Sequence, residues 1–108
     1  MINFDLLTKY LEHDTDIIEA VLVAYLEDHH DFNAEFTKQL NAKDWQALGL
    51  NVHTLKGVLS SFGETTITPV LERVEFCSKQ QEHPAQEDID LITIEINKIN
   101  QQIEEYVS

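Results

Sequence analysis

Residues 45–63 read WQALGLNVHTLKGVLSSFG, and this stretch decides the fold. Trp45, Leu48, Val52, Leu55, Leu59 and Phe62 recur at helical spacing and gather within roughly 100° of arc on an α-helix. Asp44 stands just before them, where a helix N-cap is favoured, and Gly63 just after, where helices commonly end. The stretch therefore predicts an amphipathic helix over about residues 45–62. His53 projects roughly 130° from the middle of the apolar stripe and so faces outward. Its neighbours on the helix surface, one and two turns away, are Gly49, Lys56, Gly57 and Ser60. All 3 glycines of the chain fall between residues 49 and 63. Inside a helix each costs about 1 kcal/mol relative to Ala, so propensity does not put them there. Small residues above and below leave the imidazole standing clear for a partner's backbone. Glycine also permits close helix–helix contact, a reading that suits Gly49, near the stripe boundary, better than Gly57.

Working outward, helical periodicity runs through nearly the whole chain. A short first helix is expected from about Asn3 to Glu12, with Phe4, Leu7 and Leu11 on one face. Asp14 and Thr15 offer a cap for a long second helix to about Leu40, carrying Ile17, Ile18, Val21, Leu22, Tyr25, Leu26, Phe32 and Phe36, with a bend near His29-His30-Asp31. Residues 41–44 form a hairpin to the central helix. A fourth helix begins between Thr65 and Pro69, with Thr68-Pro69 as cap and first turn, and breaks at Glu82-His83-Pro84. The last runs from about Ala85 to Tyr106, with Ile92, Ile96, Ile99, Ile103 and Tyr106 at alternating four- and three-residue spacing. No strand candidate is convincing. Helices with one apolar stripe and short connections pack antiparallel. The fold class is all-α: an antiparallel four-helix bundle with an additional short N-terminal helix. A single domain over residues 1–108 is expected, its bundle core at about 14–106.

Composition narrows the function. With 7 basic and 20 acidic residues the net charge is −13, and no Lys/Arg cluster is visible. That disfavours nucleic acid and anionic membrane as partners and suits a protein partner with a basic rim. The lone cysteine, Cys77, excludes an internal disulfide and reads as a small core residue. No signal peptide or transmembrane run is seen, so a cytoplasmic location is expected. Gly-rich nucleotide loops are absent, so self-phosphorylation from ATP is not expected.

His53-Thr54-Leu55-Lys56-Gly57, with Gly63 ten residues after the histidine, resembles the H-x-L-K-G-x-x-x-x-x-G signature of histidine phosphotransfer (HPt) domains. The likeness extends over about residues 10–106, through the long preceding helix, the Asp44 hairpin and the helix with Leu71-Glu72. Val52 and Val58 depart from the small residues more usual there; Val52 lies on the core stripe and Val58 near its edge. The resemblance implies a phosphoryl carrier of a two-component phosphorelay, not an enzyme. His53 would accept phosphate from a receiver-domain aspartate and pass it to another receiver. Response-regulator receiver domains are the implied partners, with a hybrid sensor kinase as a further candidate. Lys56 would stabilise the phosphoryl group, while Gly49, Leu50, Gly57 and Ser60 would serve docking and access. No cofactor or metal of its own is implied; Mg²⁺ is expected on the partner receiver. The physics agrees. An imidazole in water, with a pKa near about 6.5, is mostly neutral at pH 7, and a neutral ring nitrogen is already a nucleophile.

Three other readings compete. One is an HPt-like adaptor or regulatory module whose histidine is unused. Another is the dimerisation helix pair of a sensor histidine kinase, in which an acidic residue usually follows the histidine and a proline stands four positions on; Thr54 and Gly57 occupy those places here. That rival must dimerise, whereas an HPt bundle closes within one chain, so a monomer is expected. The third is a metal-binding bundle, but adjacent His29 and His30 diverge by roughly 100° and form no chelating pair. His13 and His83 read as surface or capping residues, and the acidic residues of the second helix as a solvated face.

Overall fold

The computed structural model describes residues 1–108, in six helices and no strand. Short polar side chains start three of them. Asn3 Oδ1 accepts from the Leu6 amide ahead of α1 (Phe4–Tyr10), Asp14 Oδ1 from Ile17 ahead of α2 (Thr15–His29), and Asp44 Oδ1 from Ala47 ahead of α4 (Trp45–Ser61). Each satisfies an amide with no intrahelical partner. α3 (Phe32–Ala42) ends at Lys43, which takes a left-handed conformation at φ 54°. α5 spans Thr68–Lys79 and α6 spans Gln86–Val107.

The expected second helix is two helices. α2 stops at His29, and α3 restarts at Phe32. The His30 imidazole Nδ1 lies 2.8 Å from the Leu26 carbonyl, which also accepts the His30 amide, and so closes off the helix end. On the far side, the Asn33 side-chain amide donates to the Thr93 carbonyl of α6 at 2.9 Å and fixes where α3 restarts. The buried residues Ile18, Leu22, Tyr25, Phe32, Phe36 and Leu40 keep one periodicity through the break. Together α2 and α3 make one wall of the bundle.

α4 lies between α3 and α5, and α6 closes the ring against α5, α3 and α2, with α1 resting on α2. The interior holds Leu22, Phe36, Leu48, Val52, Leu55, Leu59, Leu71, Val74, Ile92, Ile96, Ile99 and Ile103, all fully out of water. Each such side chain contributes about 1.5–3 kcal/mol of burial, before the entropy of ordering the chain. All the stripe residues of α4 face this interior except Trp45, which is half-buried. Ile17, assigned an apolar role in sequence, is instead half exposed.

The α4–α5 turn departs from expectation in its cap. Gly63 has φ +77°, a left-handed conformation that favours glycine, and a Cβ there would lie 2.5 Å from Leu6 Cδ2, so the end of that leucine side chain would have to shift. Thr68-Pro69 does occupy the first turn of α5, but no Thr68 side-chain cap forms. The buried Glu64 carboxylate takes the Thr66, Ile67 and Thr68 amides at 2.8–3.1 Å instead. A carboxylate at a helix N-terminus is favoured by the helix dipole as well as by these bonds.

Candidate functional site

α4 and α5 run antiparallel across a short turn, so residues far apart in sequence become neighbours in pairs. Gly49 meets Ser78, and His53 meets Glu75. A Cβ on Gly49 would come 2.5 Å from Ser78 Oγ, and that hydroxyl is held by donating to the Glu75 carbonyl. Gly49 therefore lets α4 and α5 approach closely, and it also lines the groove between them. Gly57 differs: a Cβ there would meet nothing within 4 Å. Its surroundings are open space, on the outer surface one turn beyond His53.

His53 stands on that outer surface with its side chain 62% exposed. Its Nδ1 lies 2.9 Å from Glu75 Oε2. Lys56 Nζ donates to the other oxygen, Glu75 Oε1, at 2.8 Å, and Lys79 Nζ stands 3.4 Å from Oε2. Glu75 is buried and gathers all three groups. Burial pushes its pKa up, but the hydrogen bonds from Lys56 and His53 outweigh this and hold the carboxyl below the ordinary glutamate range. The Glu75 hydrogen bond in turn holds the Lys56 ammonium above the usual lysine value. An ionised carboxylate only accepts hydrogen bonds, so on a neutral ring the proton sits on Nδ1 and donates to Glu75. Nε2, on the far side of the ring, keeps its lone pair and is turned away from the carboxylate.

An open groove of about 420 Å³ runs beside the ring, lined by Trp45, Gly49, Leu50, Glu75, Ser78 and Lys79 among others. Leu50 is 68% exposed at its edge, and Ser60 is exposed beyond Gly57. The structure thus brings His53, Lys56, Gly49 and Leu50 to one face, with Gly57 and Ser60 continuing it along α4. The other imidazoles have different surroundings. His30 bonds the Leu26 carbonyl, His83 the Pro84 carbonyl, and His29 packs on Tyr25, where burial pushes its pKa down. No group of three or more His, Cys, Asp or Glu side chains is arranged to hold a metal ion.

A family model described as Hpt domain matches residues 20–106. The chain belongs to the Hpt domain family. No curated protein and no solved structure gave a match. The matched residues take in most of α2 and all of α3 to α5, with α6 to its last turn; α1 lies outside them. Hpt domains serve histidine phosphotransfer in phosphorelays, as phosphocarriers rather than catalysts, and interact with receiver domains of two-component systems. No helix of this Hpt domain is long and apolar enough to cross a membrane.

Two members of the site were missed in sequence, Glu75 and Lys79. A signal for the first existed. Glu75 falls among Leu71, Val74 and Ser78 on the buried side of α5, where a charge needs a partner. Lys79 follows one turn later, within reach of that charge.

Proposed function

We propose that this Hpt domain carries a phosphoryl group on His53, taking it from the aspartyl phosphate of one receiver domain and delivering it to another. The observation that carries this reading is the exposed imidazole whose Nδ1 is held by a buried carboxylate. The Nε2 lone pair attacks phosphorus as the bond to the aspartyl oxygen breaks, and the aspartate leaves as a carboxylate. The Nδ1 proton stays in its hydrogen bond to Glu75, which stabilises the positive ring that forms. In the return direction the ring leaves as a neutral imidazole, so neither direction needs a proton delivered. Phosphoryl transfer has a loose transition state, in which positioning and charge stabilisation do most of the work. Lys56 offsets charge on the phosphoryl oxygens, and Mg²⁺ belongs to the receiver.

Leu50, Gly49, Gly57 and Ser60 frame the docking surface. An open outer face suits a carrier that must meet several partners in turn. The domain acts as a cytoplasmic monomer with no catalytic activity of its own, and a hybrid sensor kinase is one source of its phosphate. Mixing the protein with phosphorylated receivers is expected to yield an acid-labile, alkali-stable phosphate. His53→Gln abolishes it, whereas His29→Gln and His83→Gln do not. Label persisting in His53→Gln would overturn the assignment.

A further inference from the structure

α1 is well seated on the bundle but poorly tethered to it. Ile2 and Leu7 are buried, at 3% and 2% exposure. The Gln102 side chain of α6 clamps the Ile2 backbone, its Oε1 accepting from the amide and its Nε2 donating to the carbonyl, each at 2.9 Å. Phe4 stacks on Tyr106 with ring centroids 4.7 Å apart, and Leu6 lies against Gly63. Residues 2–7 therefore plug a socket at one end of the bundle, formed by α2, α6 and the α4–α5 turn.

The strain lies in the tether, residues 11–14. Glu12 and His13 both take left-handed backbone, at φ 55° and 61°, and the His13 amide reaches back to the Thr8 carbonyl at 2.8 Å. That conformation disfavours any residue with a Cβ, and helix ends that use it ordinarily place glycine there. α4 does so with Gly63, while α3 and α5 each end on one left-handed residue, Lys43 and Gln81. The end of α1 uses two in succession, neither of them glycine. Nor does the sequence demand a break at this point. No glycine or proline precedes Gly49, so nothing in residues 4–29 would interrupt one continuous helix.

We propose that two copies of this chain exchange α1. Residues 11–14 become helical, α1 continues α2 as a single rod, and residues 2–7 of each copy plug the socket of the other. Every contact of the plug is remade between copies, so the exchange needs no new surface. It relieves two left-handed residues in each copy, against the loss of the Asp14 cap and of the freedom of separate chains. Strained hinge loops invite such swapping, and the two-fold pairing is closed, so it stops at a dimer. His53 lies ten residues before Gly63, about 15 Å along α4 from the socket, which leaves both imidazoles clear of the exchanged helices. The dimer is a second, concentration-dependent form beside the monomer and does not rest on the phosphocarrier reading.

The test unfolds the protein in urea, refolds it at a series of concentrations and sizes it by chromatography with light scattering. Wild type is expected to yield a dimer whose share rises with concentration during refolding. Glu12→Gly with His13→Gly removes the strain from the monomer and should weaken the dimer at least about a hundredfold in Kd. Glu12→Ala with His13→Ala should strengthen it roughly tenfold, since alanine is favoured in a helix and not in a left-handed turn. All three proteins should show the same helical circular dichroism, which separates a shifted equilibrium from misfolding. In the isolated dimer the Cα chemical shifts of Glu12 and His13 should move from left-handed to right-handed helical values. No wild-type dimer, a dimer equally populated in all three proteins, or a dimer that keeps Glu12 and His13 left-handed would overturn the proposal. Failure of His53 to accept phosphate would overturn the carrier reading and leave these measurements untouched.

Discussion

Glu64 and Glu75 are both buried carboxylates, only 11 residues apart, yet they are satisfied in opposite ways. Glu64 accepts from backbone amides of residues 66–68, which cannot move without unwinding the start of α5. Glu75 accepts from the side chains of His53 and Lys56 and has the Lys79 ammonium 3.4 Å away, and each of these groups can turn away. Fixed donors make a joint. Movable donors, one of them the imidazole proposed to carry phosphate, suit a site that changes its charge without refolding. Burial alone does not tell the two apart; the mobility of the partners does.

The largest stability effect should come from the joint. Glu64→Ala strands amides at the N-terminus of α5 and should cost about 2–3 kcal/mol in urea denaturation. The folded protein should still accept phosphate. A loss of phosphate acceptance with unchanged stability would break the contrast. Next comes Glu75. Glu75→Ala should change stability by about 1 kcal/mol or less, because Lys56 and Lys79 can turn to water. It should slow transfer from a phosphorylated receiver by about tenfold, the cost of losing a hydrogen bond to a charged group. Glu75→Gln keeps an acceptor for the Nδ1 proton and should retain more activity than Glu75→Ala. Equal rates in both variants would mean that the carboxylate charge alone matters.

The smallest effect is in pH dependence. Glu75 has a lowered folded-state pKa, so its contribution is present above the ordinary glutamate range. It is lost as pH falls through the lowered folded value. Lys56 has a raised folded-state pKa, so its contribution is present below the ordinary lysine value and is lost as pH rises through the raised one. Glu75→Gln should therefore flatten both the acid and the alkaline limb of a stability–pH profile. Limbs unchanged from wild type would show that the network adds nothing to folding.

Much of this was legible in sequence, for identifiable reasons. The α4 stripe, Asp44 and Gly63 each carry a local signal, so the helix and the outward place of His53 could be read directly. Lys56 and Gly57 could be read too, because they are one turn away on the same helix. The α2–α3 break was hidden because the buried residues keep their spacing across it. Thr68-Pro69 drew attention from Glu64, since a cap signal at the right position looks sufficient alone. Glu75 lies 22 residues beyond His53, and its bond depends on the packing of two helices, which periodicity does not register. The two glycines beside His53 could be separated in sequence by their distance from the apolar stripe, and packing agrees, with Gly49 against Ser78 and Gly57 in open space; that Ser78 is the partner could not be read.

The most direct test of the central claim is heteronuclear NMR of the His53 ring before and after charging by a phosphorylated receiver. A proton is expected on Nδ1 in the uncharged protein and, after charging, phosphorus coupled to Nε2 of His53. Phosphorus on Nδ1, or on another imidazole while His53 stays unmodified, would contradict it.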